Sequence, residues 1–412
     1  MHKAFFDKLC FYFIYIFILS IIFSNVVANA ILIILSFFSC YLLFKKKIQI
    51  PNWLVYFFIF ILFFLLHPNN FNNGLDFINI KNLIKIFFFI RFPLFLVLII
   101  YLANDENNKS YFLKLFKIII LLLILLSIDI IFQFLFKFDI LGITPGNWDE
   151  NIKDFKRYSG FFGTELIGGA YLYLNSILIL YFLNNKKFEH KKIYNLIVVA
   201  LIFTATALSG ERVALFKLSL IYFVFFLFFS STLKREKILI LCVFLLISIL
   251  FFNNQTLKRR YIDNTLSEIG SISNIKENSY HFLHYQTAIN IFRDNFIVGA
   301  GYKSFSVYCK KYEVEESERS NYKAIKSCST HPHNMLFQIL SSGGLIGSLI
   351  FIIFLYNLII ILIKEKNFIL INYILIFYLP IIPSGSIFTS WINFNFWLIL
   401  SLSLVFNKLY NK

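Results

Sequence analysis

Two histidines and an asparagine stand immediately before a long apolar segment near residue 335. The stretch reads Cys328-Ser-Thr-His-Pro-His-Asn334, and the whole chain of 412 residues contains only seven histidines. Imidazole titrates near neutral pH, so a histidine here can take a proton from an attacking hydroxyl. Asn334 is a predicted N-cap, and the N–H groups of a helix start attract anions. His331 and His333 are therefore candidate bases, with interfacial histidines that make only local hydrogen bonds as the alternative.

Arginine is scarce in this chain, where lysine outnumbers it 31 to 8. Arg212 follows Ser209-Gly-Glu211 between two apolar segments, at a membrane edge. A guanidinium grips phosphate oxygens in a bidentate manner, which lysine cannot do, and charge at such depth is usually functional. We predict that Arg212 binds phosphate or takes part in catalysis, possible snorkelling beside Glu211 being the alternative. Arg157, which lies just before an apolar segment on the same face, could line the same anionic pocket.

A metal site is an alternative interpretation of these histidines, because His281 and His284 lie in the same loop as His331 and His333. Nitrogen ligands suit zinc, but the sequence has no matching cysteine pair and no HExxH motif. We therefore predict no metal and no cofactor.

Cysteine positions divide the chain into two environments. Cys309 and Cys328 fall in the long polar loop, whereas Cys10, Cys40 and Cys242 fall in apolar segments. An oxidising exterior favours a disulfide between the first two, which would close a loop of about 20 residues and contribute about 3 kcal/mol in the chain-entropy model. That bond would hold the backbone just ahead of His331.

The elements that position these residues are apolar helices. The chain is 59% hydrophobic and only 15% charged, and apolar runs long enough to cross ~30 Å of hydrocarbon recur along it. The fold class is therefore an all-α polytopic membrane protein with about twelve transmembrane helices. The predicted spans lie near 9–24, 27–44, 53–66, 83–102, 112–135, 162–183, 193–209, 213–230, 237–252, 338–363, 368–384 and 387–406.

Basic residues predict the orientation of these spans. Lysine-rich loops near residues 45–47, 186–192, 234–237 and 364–366 fall on one side, which the positive-inside rule assigns to the cytoplasm together with both termini. The same pattern accounts for the net charge of +17 without nucleic-acid binding. The outer side then holds residues 136–161 and a large loop, so we divide the chain into 1–252, 253–337 and 338–412. The first apolar segment mimics a signal peptide, but the apolar character resumes from Ile31, which favours an uncleaved helix.

Three further sequence patterns lie in the outer loop and at the start of the tenth span. Lys258-Arg-Arg260 lies on the outer side, against the usual bias, which suggests an anionic ligand. Apolar positions at Phe282, Tyr285, Ala288, Ile289 and Phe292 predict an amphipathic helix that ends in a glycine turn. The glycines at 343, 344 and 347 predict a surface for close packing rather than a phosphate loop.

Four motifs in order resemble the O-antigen ligase and O-antigen polymerase superfamily of bacterial envelope proteins over residues ~155–350. They are Arg157-Tyr-Ser-Gly-Phe-Phe-Gly, Ser209-Gly-Glu-Arg212, Asp294-Asn-Phe-Ile-Val-Gly-Ala-Gly301, and His331-Pro-His-Asn followed by Ser342-Gly-Gly-Leu-Ile-Gly347. The resemblance implies an inner-membrane enzyme that transfers a glycan from undecaprenyl pyrophosphate to an acceptor on the periplasmic face. It implies neither a nucleotide donor nor a metal.

The resemblance also implies roles for individual residues. It places the family histidine on His333, as general base, and the family arginine on Arg212, with Arg157 as a further arginine and His331 and Asn334 as substrate-binding neighbours. Ligase relatives often carry another arginine at the start of the loop helix, where this chain has Ser279-Tyr-His281; Arg293, further along, is the candidate replacement. That departure and the cysteine pair favour a polymerase over a ligase that uses lipid A–core as acceptor.

Two other classes remain as alternatives. A transporter or flippase would depend on polar groups in mid-membrane such as Asp129 and not on His333. A metal-dependent lipid hydrolase would be inhibited by chelators.

Overall fold

The computed structural model describes most of the chain. The described residues are 2–70, 77–146, 148–149, 154–155, 157–185, 187–188, 192–229, 249, 253–269, 280–312, 328–380 and 382–410. The ninth predicted span, 237–252, lies outside them apart from residue 249, as does the lysine-rich loop at 234–237.

The described residues form apolar helices, as the composition predicts. In chain order these are α1 (His2–Phe23), α2 (Asn25–Phe44), α3 (Asn52–Leu65), α4 (Phe77–Phe88), α5 (Arg91–Leu102), α6 (Lys109–Phe136), α7 (Gly168–Asn184), α8 (Lys192–Leu208) and α9 (Arg212–Val224). Beyond the loop region follow α14 (Met335–Lys364), α15 (Phe368–Phe377) and α16 (Ser390–Tyr410). Six helical segments are long and apolar enough to cross a membrane, with α4 and α5 counted as one. The protein is thus a multi-pass membrane protein, and the count of twelve spans stays a prediction.

Both ends of the chain lie on one face of the helix bundle. Lys3 forms an ion pair with Asp105 at 2.6 Å, and Lys408 donates to Asn104. Both acceptors lie in the connection between α5 and α6. The loops after α7 and α14 lie on this face too. Asn185 donates to the carbonyl of Tyr410, and Asn407 donates to the carbonyl of Glu365. The termini and the basic loops near 187 and 365 therefore share a face, as the charge pattern predicts.

Short elements cover the opposite face. They are the two-residue strands β1 (Trp148–Asp149) and β2 (Asp154–Phe155), which pair antiparallel, and the helices α10 (Gln255–Lys258), α11 (Asn264–Ile269), α12 (Tyr280–Asp294) and α13 (Phe305–Tyr308). A π-helical turn, Arg259–Asp263, joins α10 to α11.

The loop helix α12 forms where the amphipathic pattern predicts it, but it is rotated from the predicted face. Its buried side chains are Leu283, His284, Thr287, Ala288 and Ile291, so that only Ala288 belongs to the predicted apolar set. Ala288 and Ile291 pack in a small core with Ala300, Phe305 and Cys309. The predicted aromatic positions Phe282, Tyr285 and Phe292 are half-buried, and Tyr285 stacks on Phe337 with the ring centroids 4.7 Å apart.

Helix α14 is broken at Gly344, and a loop fills the break. Gly344 has a φ of 58°, outside helical geometry. The N–H groups of Ala300 and Gly301 donate to the carbonyls of Ser341 and Ser342 at 2.9 and 2.8 Å. In return, the N–H groups of Leu345 and Ile346 donate to the carbonyls of Phe296 and Ile297. Backbone groups that a kink would leave unpaired at membrane depth are therefore satisfied by the 296–301 loop.

The glycines at this junction allow the two backbones to touch. A Cβ atom on Gly344 would overlap the nitrogen of Gly299, and one on Gly299 would overlap Gly344. The loop is also held by the turn after α3, where His67 Nε2 lies 3.0 Å from the carbonyl of Val298 and His67 Nδ1 accepts from Asn69 N–H. The predicted packing role of the glycines thus has a specific partner, a loop backbone in place of a helix.

We expect Gly344→Ala to destabilise the protein far more than Gly142→Ala. Both residues have positive φ, which costs an L-residue about 1–2 kcal/mol, but a Cβ on Gly142 meets nothing within 4 Å. The additional overlap at Gly344 should lower the unfolding free energy by a further 1–3 kcal/mol or so. Thermal unfolding midpoints in detergent would measure this difference, and equal midpoints for the two variants would contradict the interlocked junction.

Candidate functional site

A cavity of about 640 Å³ opens on the face opposite the termini. Four of the residues predicted from the sequence line it: His331, His333, Arg212 and Arg157. They come from positions up to 176 residues apart, on the loop before α7, the start of α9 and the segment before α14. The remaining lining side chains that carry charge or a titratable ring are Glu165, Glu211, Lys217, Arg260 and His281.

The His-Pro-His-Asn segment is anchored on the loop between α15 and α16. The N–H of Ser384 donates to the carbonyl of His333 at 2.7 Å, and the hydroxyl of Ser384 accepts from Met335 N–H at 2.9 Å. Asn334 caps α14 through its side-chain oxygen, as predicted, and its amide donates to the carbonyl of Pro380. His333 has a φ of 53°, a left-handed backbone that is uncommon outside glycine. Asn334 therefore positions His333 and does not itself line the cavity.

Four imidazole rings meet at this segment. The ring of His333 lies 4.3 Å from that of His331, 5.1 Å from that of His284 and 5.5 Å from that of His281, centroid to centroid. Burial, together with the neighbouring His333, lowers the pKa of His331 to about 3 and that of His281 to about 4. Burial also lowers the pKa of His333. At neutral pH the rings of His281, His331 and His333 are therefore uncharged, the state in which an imidazole can accept a proton.

Among the described residues, no group of three or more His, Cys, Asp or Glu side chains is arranged as a set of metal ligands.

Arg212 is the first residue of α9, and its Nη1 donates to the hydroxyl of Thr265 on α11 at 3.1 Å. Its neighbour Glu211 faces another helix. The two Glu211 carboxylate oxygens accept from the N–H groups of Gly169 and Ala170 at 2.7 and 3.1 Å, which caps the start of α7. Desolvation raises the pKa of Glu211 to about 7, against the opposing charge of Arg157. The start of α7 is thus bound by Glu211, whereas Glu165, three residues before this helix, is exposed.

Two further cations line the cavity without having been singled out as site residues. Arg260 lies on the π-helical turn, and its Nε donates to the carbonyl of Gly210 at 3.0 Å. The basic run at 258–260 had indicated such a residue, because its position on the outer side opposes the positive-inside bias and suggests an anionic ligand. Lys217 lies in α9 and is 1% exposed. Nothing in the local sequence distinguishes this lysine from the rest of the apolar run in which it lies.

Arg293, the candidate replacement for the missing arginine, is not among the residues that line the cavity. It is exposed in the last turn of α12, at the end of that helix away from His281. His281 itself occupies the start of α12, where ligase relatives carry an arginine, and it faces His333. Arg293 follows His281 by twelve residues, about 18 Å along the helix axis, and this distance separates it from the histidine cluster.

Cys309 and Cys328 are joined in a disulfide, with their Cα atoms 5.1 Å apart. The bond lies in the small core under α12, three residues ahead of His331. In the short segment between Cys328 and His331, Ser329 donates to the carbonyl of His331, and Thr330 Oγ1 lies 2.9 Å from His331 Nδ1. The bond thus restrains the segment that carries the histidines.

Another wall of the cavity is aromatic and hydroxylated. Trp391 and Tyr173 lie there with Ser384, Ser386 and Thr389. Arg91 braces this wall from behind, because its guanidinium donates to Ser390 Oγ at 3.0 Å and to Asn29 Oδ1 at 2.7 Å. Flat aromatic rings beside hydroxyl groups suit a sugar, which presents both apolar faces and hydroxyls.

Removal of the Glu211 carboxylate should destabilise the first turn of α7. We expect Glu211→Ala to lower the unfolding free energy by about 1–2 kcal/mol, since two helix N–H groups lose their acceptor. Hydrogen exchange at Gly169 and Ala170 should rise in this variant. Glu165→Ala is the matched control, and exchange that rises equally in both variants would show that Glu211 is not the cap.

Comparison with known proteins supports the resemblance seen in the motifs. No curated protein sequence matches the chain. Residues 197–352 match the family model described as O-antigen ligase. This segment contains Arg212, Arg260, the histidine cluster and the broken helix α14, whereas Arg157 lies outside it. Residues 197–352 are therefore similar to the O-antigen ligase family, which supports the superfamily that the motifs resemble, and the apolar helices make the chain a multi-pass membrane protein.

Proposed function

We propose that this protein is an O-antigen polymerase, a glycosyltransferase that extends a glycan carried on undecaprenyl pyrophosphate. One observation carries the proposal. The cavity brings an uncharged His333 together with Arg157, Arg212 and Arg260 on the face opposite the basic loops. Under the positive-inside rule that face is periplasmic and the termini are cytoplasmic, in the bacterial inner membrane. There the lipid tail of the donor can stay in the bilayer while its pyrophosphate enters the cavity.

The proposed reaction is a single displacement at the anomeric carbon. An acceptor hydroxyl forms the new C–O bond as its proton passes to His333. The bond from the anomeric carbon to the phosphate oxygen breaks, and its electron pair leaves with prenyl pyrophosphate. Arg212, Arg157 and Arg260 stabilise the charge that develops on this leaving group. Attack from the face opposite the leaving group inverts the anomeric centre, and no metal takes part.

The alternative acceptor is lipid A–core, which would make the protein a ligase. The expectation of a polymerase rested partly on the missing arginine at the start of α12. Arg260 now supplies a third guanidinium at the cavity, so the missing residue does not leave the pyrophosphate without cations. The disulfide beside His331 remains in favour of the polymerase.

A transporter is disfavoured by the environment of Asp129. This residue is buried in α6, and its carboxylate accepts from the N–H of Ile140 at 2.8 Å. It therefore fastens the loop after α6 to the helix that precedes it. A structural contact of this kind explains the mid-membrane charge without a transport path.

We expect His333→Asn to reduce kcat by a factor of about 10² to 10⁴, because the general base is lost. Asparagine tolerates the left-handed backbone at this position, so the fold should persist. In the wild type, activity should fall as the pH drops through the lowered pKa of His333, since the protonated ring cannot accept a proton. An assay with a reconstituted protein and a pyrophosphate-linked glycan would measure both effects, and turnover by His333→Asn at the wild-type rate would exclude the assignment.

Arg260 and Arg259 form a matched pair for the leaving-group role. Only Arg260 lines the cavity, while Arg259 is exposed on the same turn. Arg260→Gln should lower kcat/KM by about tenfold or more, since a charge-assisted hydrogen bond contributes roughly 1.5–3 kcal/mol. Arg259→Gln should keep wild-type activity. Equal losses in the two variants would point to general electrostatic attraction and contradict a specific contact.

The acceptor is decided by competition in the same assay. With a second donor molecule and lipid A–core offered together, a polymerase should produce longer lipid-linked chains and leave lipid A–core unmodified. Glycan found on lipid A–core would establish the ligase instead.

A further inference from the structure

Lys217 is a buried cation for which the fold supplies little compensation. Its side chain is 1% exposed, and it lies in an apolar helix that lines the cavity. An ammonium has three N–H donors, and burial of such a charge without partners is strongly unfavourable. Helix interiors that face a membrane rarely keep a lysine unless it has a task.

The contacts of Lys217 offset only part of the unfavourable free energy of burying its charge. Its Nζ lies 3.4 Å from the carbonyl of Phe377, at the C-terminus of α15, which is the long end of hydrogen-bond range. The ring of Tyr173 has its centroid 6.0 Å away, at the limit of a cation–π contact. Within the described residues, no carboxylate lies at ion-pair distance from it. A partial helix-end contact is therefore all that the described protein offers the ammonium.

The position of Lys217 along α9 indicates what would complete its coordination. It lies five residues after Arg212, which corresponds to about 7.5 Å along the helix axis. Because α9 begins at the cavity mouth with Arg212, Lys217 lies deeper towards the interior of the bilayer. The cavity is lined by Arg157, Arg212, Arg260 and Lys217 against two carboxylates, and Glu211 already caps α7. The lining thus carries an excess of about two positive charges, which balances the two negative charges of a pyrophosphate diester.

We propose that Lys217 binds the lipid-side phosphate of a prenyl pyrophosphate, while the arginines at the mouth bind the phosphate next to the sugar. The inference rests on the proposed function and adds the orientation of the donor. A lipid tail that remains in the bilayer places its own phosphate deeper than the sugar-side phosphate. The deep cation and the outer arginines therefore divide the pyrophosphate between them.

Binding of two short prenyl ligands tests this division without any turnover. The full chain would be placed in nanodiscs of phosphatidylcholine and titrated with farnesyl pyrophosphate and with farnesyl monophosphate. The monophosphate keeps only the phosphate next to the lipid. Lys217→Met should therefore weaken both ligands by about tenfold to a hundredfold, as expected for a lost charged hydrogen bond. Arg260→Gln should weaken mainly the pyrophosphate.

Two controls separate binding from folding. Lys217→Arg keeps the charge and should retain most of the affinity, while exposed Lys310→Met should change nothing. The empty Lys217→Met protein should unfold at the wild-type temperature or above it, because an uncompensated buried charge has been removed. A lower unfolding temperature for the empty variant would assign Lys217 to the end of α15 and overturn the proposal.

Other outcomes are equally decisive. Unchanged affinity of Lys217→Met for both ligands would refute the inference and leave the proposed transferase reaction untouched. Lys217-dependent binding in a wild type that transfers no glycan would uphold the inference and refute the reaction. If the variant instead loses only the retention of phosphatidylglycerol added to the nanodiscs, the occupant is a phospholipid headgroup and the proposal is wrong.

Discussion

The break in α14 at Gly344 is the junction on which the site depends. A transmembrane helix cannot leave carbonyl and N–H groups unpaired in hydrocarbon, so a kink there persists only if another backbone satisfies them. The 296–301 loop does so with four hydrogen bonds, and Gly299 and Gly344 permit the approach. That loop is continuous with α12. The junction therefore sets the position of α12 against the first turns of α14, and the histidine cluster lies between those two elements.

The electrostatics of the cavity follow from its place at the membrane edge. Burial lowers the pKa of His333 and of its neighbours, and Arg212 adds to this effect at His281. Guanidinium groups keep their charge under the same conditions. The result is a site with fixed positive charge for an anionic leaving group and an uncharged ring for a proton. One environment thus produces both halves of the proposed chemistry.

Structural supports around the cavity use polar and charged residue types that could equally bind a ligand. Arg91 braces the aromatic wall, Glu211 caps α7, and Asn334 caps α14 while it holds the loop before α16. A polar residue at a helix end near the membrane surface can therefore have either role. Only its partners distinguish a cap from a ligand-binding group.

The sequence by itself determined the class of the protein, the apolar helices, the cap at Asn334, the motifs of the superfamily and the candidate roles of His333 and Arg212. These features are local, since composition, spacing and residue chemistry are sufficient to predict them. The tertiary structure decided that the start of α12 brings His281 to His333 while Arg293 lies at its far end, and it decided that Glu211 binds the start of α7. It also revealed Lys217 and Arg260 in the cavity. Each of these depends on which surfaces of distant segments pack together, and packing between segments has no signal in the spacing of either one.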